Sequence, residues 1–258
     1  MDVALIRRRA VLAGSLASLA LTAVGKAAQS PDAKQKLISA YRAYLDRSEG
    51  NEIVWRDGTR SAWIDGAANK SFDDKLAHAS LADQMSIPYA RGPIDEPPPV
   101  DCDPGRFRNI AFFKKIYGAD EASVRANLVE VPWRIGNYRG SLPFTRINGV
   151  DKVAAQIVGE LAALPPRFAR YLVSPAGSFD WRPIAGTSGL SAHAFGIAVD
   201  INAEHSDYWR WDHPPRWRSR IPIEIVDAFE RHGFIWGGKW YHYDTMHFEY
   251  RPELIEPA

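Results

Sequence analysis

The stretch Ser191-Ala-His193-Ala-Phe-Gly196-Ile-Ala-Val-Asp200-Ile-Asn202, read with Asp244-Thr-Met-His247-Phe248-Glu249, decides the fold. From Phe195 to Asn202, bulky Phe195, Ile197, Val199 and Ile201 alternate with small or polar Gly196, Ala198, Asp200 and Asn202, the period of two that marks a strand. Asp200 then faces an uncrowded side. Seven residues is an odd step, so a regular strand aims His193 to the opposite face. The chain must bend between the two, and Gly196 can supply the bend. A second strand, His247 to Arg251, puts His247, Glu249 and Arg251 on one side and Phe248 and Tyr250 on the other. Asp244 shares the side of His247 only if Asp244 to Met246 form a turn.

Two imidazoles and a carboxylate can fill three corners of a zinc tetrahedron and leave the fourth for water, which a catalytic rather than a structural site needs. Bound zinc brings the pKa of its water to about 7, and a neighbouring carboxylate, here Asp244, can carry the proton to a leaving amine. These residues point to metal-assisted hydrolysis. Either histidine alone reads more simply as hydrogen-bonded structure, and Asp244 alone as a turn-stabilising carboxylate. Glu249 is a rival base, but two residues past His247 it is better placed to hold that imidazole.

The order Ser-x-His, six residues, Asp, then Asp-x-x-His-Phe-Glu preceded by Trp236-Gly-Gly-Lys-Trp240 resembles the zinc D,D-carboxypeptidases of the vancomycin-resistance type. That family includes the L-alanyl-D-glutamate peptidases of phage endolysins. The resemblance is tight from about residue 170 to 252, looser from Pro104 to Leu164 and weak before residue 100. It implies that His193, Asp200 and His247 hold one Zn2+ and that Asp244 is the catalytic acid/base. It also places Arg182, in Phe179-Asp-Trp-Arg182, as the cation that polarises the scissile carbonyl; a surface ion pair is the plainer reading. Ser191 matches the motif serine, as a substrate contact or a backbone hydrogen bond near His193. The implied substrates are peptidoglycan stem peptides, with the bond, D-Ala-D-Ala or L-Ala-D-Glu, left open. The implied fold is α+β, a small central antiparallel sheet flanked by helices of the Hedgehog/DD-peptidase kind. A zinc-containing wall-binding module without turnover, or a zinc-dependent signalling or adhesion domain, is the alternative.

The remainder fits an exported enzyme. At 258 residues with 46% hydrophobic and 24% charged, the chain can bury one good core. A formal net charge of +1 makes no case for nucleic acid. Arg7-Arg8-Arg9, the apolar run Ala10 to Gly25 and Lys26-Ala27-Ala28 read as a signal peptide over residues 1–28, by the Sec or twin-arginine route. As a helix that apolar run reaches about 24 Å against a bilayer core of about 30 Å, so cleavage is expected rather than a permanent span. Cys102 is the one cysteine, which leaves no internal disulfide.

Residues 29–103 read as an N-terminal extension with a proline-rich loop, and 104–258 as the catalytic domain of a monomer. Leu37, Ile38, Tyr41, Tyr44 and Leu45 predict an amphipathic helix over Lys34 to Arg47. Asp57-Gly58 predicts a hairpin between Glu52–Arg56 and Thr59–Ile64. Pro97-Pro98-Pro99 marks a linker or covering loop. Helices are expected over Arg106–Tyr117, Glu121–Leu128, Val150–Leu164 and Pro222–His232, with an edge strand over Leu142–Ile147. The stretch Glu204–Arg220, holding His205, Asp207, Asp212 and His213 among tryptophans, reads as a solvated loop that walls the cleft rather than a second metal site. His78, His232 and His242 have no assigned role; His242 lies close to Asp244 in sequence.

Overall fold

A computed structural model describes residues 31–66, 69–184, 189–211 and 213–255; the signal-peptide reading lies outside them. Among the described residues the architecture is α+β, with helices around three small antiparallel sheets. Helix α1 (Pro31–Ala40) leads into strands β1 (Leu45–Glu49), β2 (Glu52–Trp55) and β3 (Arg60–Ala62), which pair in that order. The expected helix is therefore shorter, and Leu45 leaves it to pair with Trp55. The Asp57-Gly58 hairpin forms as read: Gly58 takes φ 83°, and Asp57 accepts from Thr59 N at 3.0 Å.

Two short helices follow, α2 (Phe72–His78) and α3 (Leu81–Gln84), started by the capping boxes of Ser71 and Ser80. The proline-rich stretch after them carries no helix or strand. Helix α4 (Ile110–Tyr117) starts later than Arg106 because the Asn109 side chain caps it, accepting from Phe112 N at 2.9 Å. It stops at Gly118, as expected. Helix α5 (Glu121–Arg125) ends before Leu128, which opens strand β4 (Leu128–Trp133) against β5 (Gly140–Thr145). Pro143 sits in β5, an edge strand of a two-stranded sheet, where its missing N–H costs least. Helix α6 (Val150–Ala163) buries Val150, Ala154, Ile157, Val158 and Leu161 at helical spacing and ends before Pro165.

The sheet that carries the chemistry has the order β6 (Ala198–Asp200), β8 (His247–Tyr250), β7 (Phe234–Trp236). Its register sets Val199, Phe248 and Trp236 abreast on one face, and Asp200 with His247 and Ala198 with Glu249 and Ile235 on the other. Helix α7 (Ile223–Glu230) covers the apolar face, with Phe229 stacked on Phe248 at 3.9 Å between ring centroids. Segment 103–109 crosses the polar face: the Arg251 guanidinium donates to Gly105 O at 2.7 Å, and a Cβ on Gly105 would stand 2.5 Å from Ile235. One apolar cluster joins α1 (Leu37), β2 (Ile53) and α4 (Phe113) to β6 (Val199) and β8 (Phe248). Burying a side chain of that size contributes about 1.5–3 kcal/mol, so the N-terminal elements share the core that holds the site.

The strand expected from Phe195 is only Ala198–Asp200. Before it, Ala192–Phe195 form one turn of 3-10 helix closed by Gly196 at φ 66°. A Cβ there would meet Leu128 Cδ2 at 2.6 Å and the Thr145 N at 3.1 Å. Gly196→Ala should therefore cost about 2–3 kcal/mol in denaturant unfolding, from the left-handed backbone and the clash together. Gly159→Ala, in exposed helix with nothing within 4 Å of the new methyl, should instead stabilise by about 0.5–1 kcal/mol.

Candidate metal centre

Strand register and one glycine turn assemble the site. Asp200 and His247 are direct cross-strand partners, and the turn at Gly196 swings His193 back onto the same face. The required turn at Asp244–Met246 is present, with His247 N donating to Asp244 O at 3.2 Å. Three atoms converge: His193 Nε2 lies 3.1 Å from His247 Nδ1 and 3.2 Å from Asp200 Oδ1, and the last two are 3.0 Å apart. A tetrahedral zinc with bonds of about 2.0–2.1 Å spaces its ligand atoms by about 3.3 Å.

The far side of each ring says what the near side offers. His193 Nδ1 is 2.6 Å from Ser178 O, a carbonyl that can only accept, so the ring proton sits there and Nε2 presents a lone pair. His247 Nε2 donates to Glu249 Oε2 at 2.9 Å, leaving Nδ1 for the centre. Two imidazole lone pairs and a carboxylate oxygen thus face one point, where only positive charge relieves them. One proton can serve one pair; a divalent cation serves all three, so the residues fit zinc. Without metal, the proton takes that place. Burial opposes charging His247, but hydrogen bonds to Asp200 and Glu249 push its pKa up to about 10, while the imidazoles hold Asp200 far below the usual carboxylate range.

Glu249 holds His247 and is itself held. It is fully buried and paired with Arg108 and with Arg251 Nη1 at 3.0 Å; Arg251 Nε binds Glu253 Oε1 at 2.6 Å, and Glu253 accepts from Tyr41 Oη at 3.1 Å. A line of buried polar groups thus runs from Tyr41, just past α1, to the His247 imidazole. Breaking one member of such a buried network costs about 3–5 kcal/mol because its partner is left uncompensated.

Asp244 lies in the wall of a cavity of about 320 Å³ that opens beside His193, Asp200 and His247. Its Oδ1 is buried with no hydrogen-bond partner among the described residues, and burial first, then the charge of Asp200, raise its pKa to about 6. Ser191 is 7% exposed and caps the 3-10 turn, its Oγ accepting from His193 N at 3.3 Å, so the structural role read for it is present; it also lines the cavity. Arg182 is on the cavity wall, half-exposed, its Nε on Asp180 at 2.8 Å, so both readings of it have a geometric basis.

Tyr208 and Trp211 line the cavity from the loop expected to wall it. In that loop Asp207 binds Arg220 Nε at 2.7 Å, and among the described residues only His193, Asp200 and His247 gather as a metal-holding group. His242 is structural, its Nδ1 on Asp103 Oδ2 at 2.7 Å. Sequence reasoning missed Arg106, Arg108 and Trp240 as cavity residues, having placed both arginines in a helix. The cap at Asn109 was the available signal that the helix begins after them.

Two outcomes follow for solution work. Glu249→Gln should weaken zinc binding by about 10–100-fold in chelator competition, because the imidazole loses the carboxylate that orients it. In chelator-stripped protein, the folded-state pKa of His247 near 10 lies above its unfolded value of 6.5. Its stabilisation is then complete below pH 6.5 and lost as pH rises through 10. The unfolding free energy of stripped protein should fall over that range, and one equivalent of zinc should flatten the slope.

No curated protein and no solved structure matches the chain. Residues 185–250, which carry all three converging side chains and Asp244, match the family model described as D-alanyl-D-alanine carboxypeptidase, the family that the motifs resemble.

Proposed function

We propose that the protein is a zinc-dependent peptidase that hydrolyses an amide bond in peptidoglycan stem peptides outside the cytoplasm. The observation that carries this reading is the meeting of three metal-seeking atoms beside a cavity whose wall holds a buried, unpartnered carboxylate. The family match over residues 185–250 supports the peptidase class. The composition of residues 1–28 supports export, and among the described residues no helix is long and apolar enough to cross a membrane. We read the fold as Hedgehog/DD-peptidase-like, with residues 29–103 as an extension bracing residues 104–258.

His193, Asp200 and His247 hold the zinc, which when bound supplies a Lewis acid that lowers the pKa of water and stabilises charge on a carbonyl oxygen. Asp244 takes the proton of the attacking water on its unpartnered Oδ1 and returns it to the leaving amine nitrogen. Burial suits it to both steps, since a carboxyl with a pKa of about 6 gains and loses a proton readily near neutral pH. Arg182 turns toward the substrate carbonyl and shares its developing negative charge, a role for which a permanently charged planar guanidinium is suited. Glu249 keeps the His247 ring in place throughout, and Trp240, against that ring at 5.4 Å, helps exclude water.

Asp244→Asn should bind zinc at the wild-type stoichiometry and lose about 10²–10⁴-fold in kcat on defined stem peptides, scored by product mass. A wall-binding module would show unchanged peptide affinity in the variant and no cleavage by the zinc-loaded parent.

A further inference from the structure

The cavity is cationic on two sides. Arg182 stands near Ser191 and His193, while Arg106 and Arg108 come from the segment that crosses the polar face of the sheet. The Arg106 side chain is only 12% exposed. Its guanidinium stands 5.6 Å from the centre of the Trp240 ring, which is itself 5.4 Å from the His247 ring. The polar contacts of Arg106 are long, 3.5 Å from Nη1 to His242 O and 3.9 Å from Nε to Asp103 Oδ2. Asp103 already accepts from His242 N at 3.0 Å and pairs with its Nδ1 at 2.7 Å. Arg108 is 5% exposed, and its Nε has no partner among the described residues although its other end binds Glu249. Five N–H donors on a largely desolvated guanidinium call for an acceptor, and a carboxylate matches their planar fork.

The position of Asp244 says where that carboxylate belongs. Asp244 shares this wall, and the charge of Arg106 acts on it. The group that protonates the leaving amine must lie on the leaving side of the scissile bond, so Arg106 lies on that side as well. In a C-terminal residue the carboxylate is one Cα from the amine nitrogen. We propose that Arg106 receives the free C-terminal carboxylate of the leaving residue and makes the enzyme a carboxypeptidase that removes one residue at a time. This rests on the peptidase reading. Water adds its oxygen to the carbonyl carbon, the C–N bond breaks, one proton moves through Asp244 to the amine, and the bound carboxylate is unchanged.

The test compares kcat/KM of zinc-loaded protein on a stem peptide ending in D-Ala-D-Ala and on its C-terminal carboxamide. The wild type should prefer the acid by about 100-fold or more, because the amide leaves a buried cation unpaired. Arg106→Gln should cut that preference below about 10-fold, chiefly through KM, and Arg106→Lys should fall between, since it keeps the charge but not the fork. Zinc stoichiometry shows that each variant retains the metal site. Cleavage of acid and amide at equal rates by the wild type, scission at an internal bond, or an Arg106→Gln variant that keeps the full preference overturns the carboxylate site and leaves the peptidase reading standing. Failure of zinc-loaded wild type to cleave either peptide overturns both.

Discussion

Three acceptor atoms pressed to within 3.0–3.2 Å of one another are the constraint on which the rest of the structure depends. Without a cation, the proton held by His247 links its ring to Asp200, and the surroundings keep all three groups together. Ser178 O fixes one ring, Glu249 fixes the other, and the antiparallel register fixes Asp200 opposite His247. Each of these is set by backbone geometry or by a charge network with no exposed member. The three groups are therefore held in a geometry compatible with a metal ion.

The N-terminal elements pack behind the same groups. Tyr41, the residue that follows α1, ends the line of buried polar groups that begins at His247, and Gln84 Nε2 reaches Glu253 at 3.4 Å. Residues far from the site in sequence thus share in the cost of burying two arginines and two glutamates behind His247. A second buried group, Tyr89, Glu230 and Lys239, pins the first turn after β7, with Lys239 Nζ on Glu230 at 2.5 Å. That turn carries Gly237, where a Cβ would stand 2.5 Å from Asp244 O. The close approach explains Gly237, whereas a Cβ on Gly238 would run into the Trp236 ring at 2.2 Å.

What the sequence disclosed was what depends on short-range pattern. Alternation of side chains placed Asp200 and His247 on strands, the parity of their spacing demanded a bend at Gly196, and turn chemistry located Asp57-Gly58. What it hid depends on pairing at a distance. Leu128–Trp133 carries Glu130 and Pro132 and shows itself as a strand only through its partner Gly140–Thr145. Leu45 continues the helical stripe of Leu37 and Tyr41, yet pairing with Trp55 draws it into a sheet. Arg106 and Arg108 belong to an irregular segment whose path over the sheet follows from packing against Ile235 and Glu249, a contact no local signal announces.

With a net charge of +1, placement rather than overall field sets the cavity apart: two carboxylates and two imidazoles line it together with guanidinium groups. The most direct measurement is X-ray absorption at the zinc edge on protein reconstituted with one equivalent of metal. The account predicts one tightly held zinc with two imidazole nitrogens, one carboxylate oxygen and a solvent ligand, the imidazole signal falling by half in His247→Ala. Zinc that fails to bind at unit stoichiometry, or that keeps the same coordination when His193 and His247 are replaced, would contradict it.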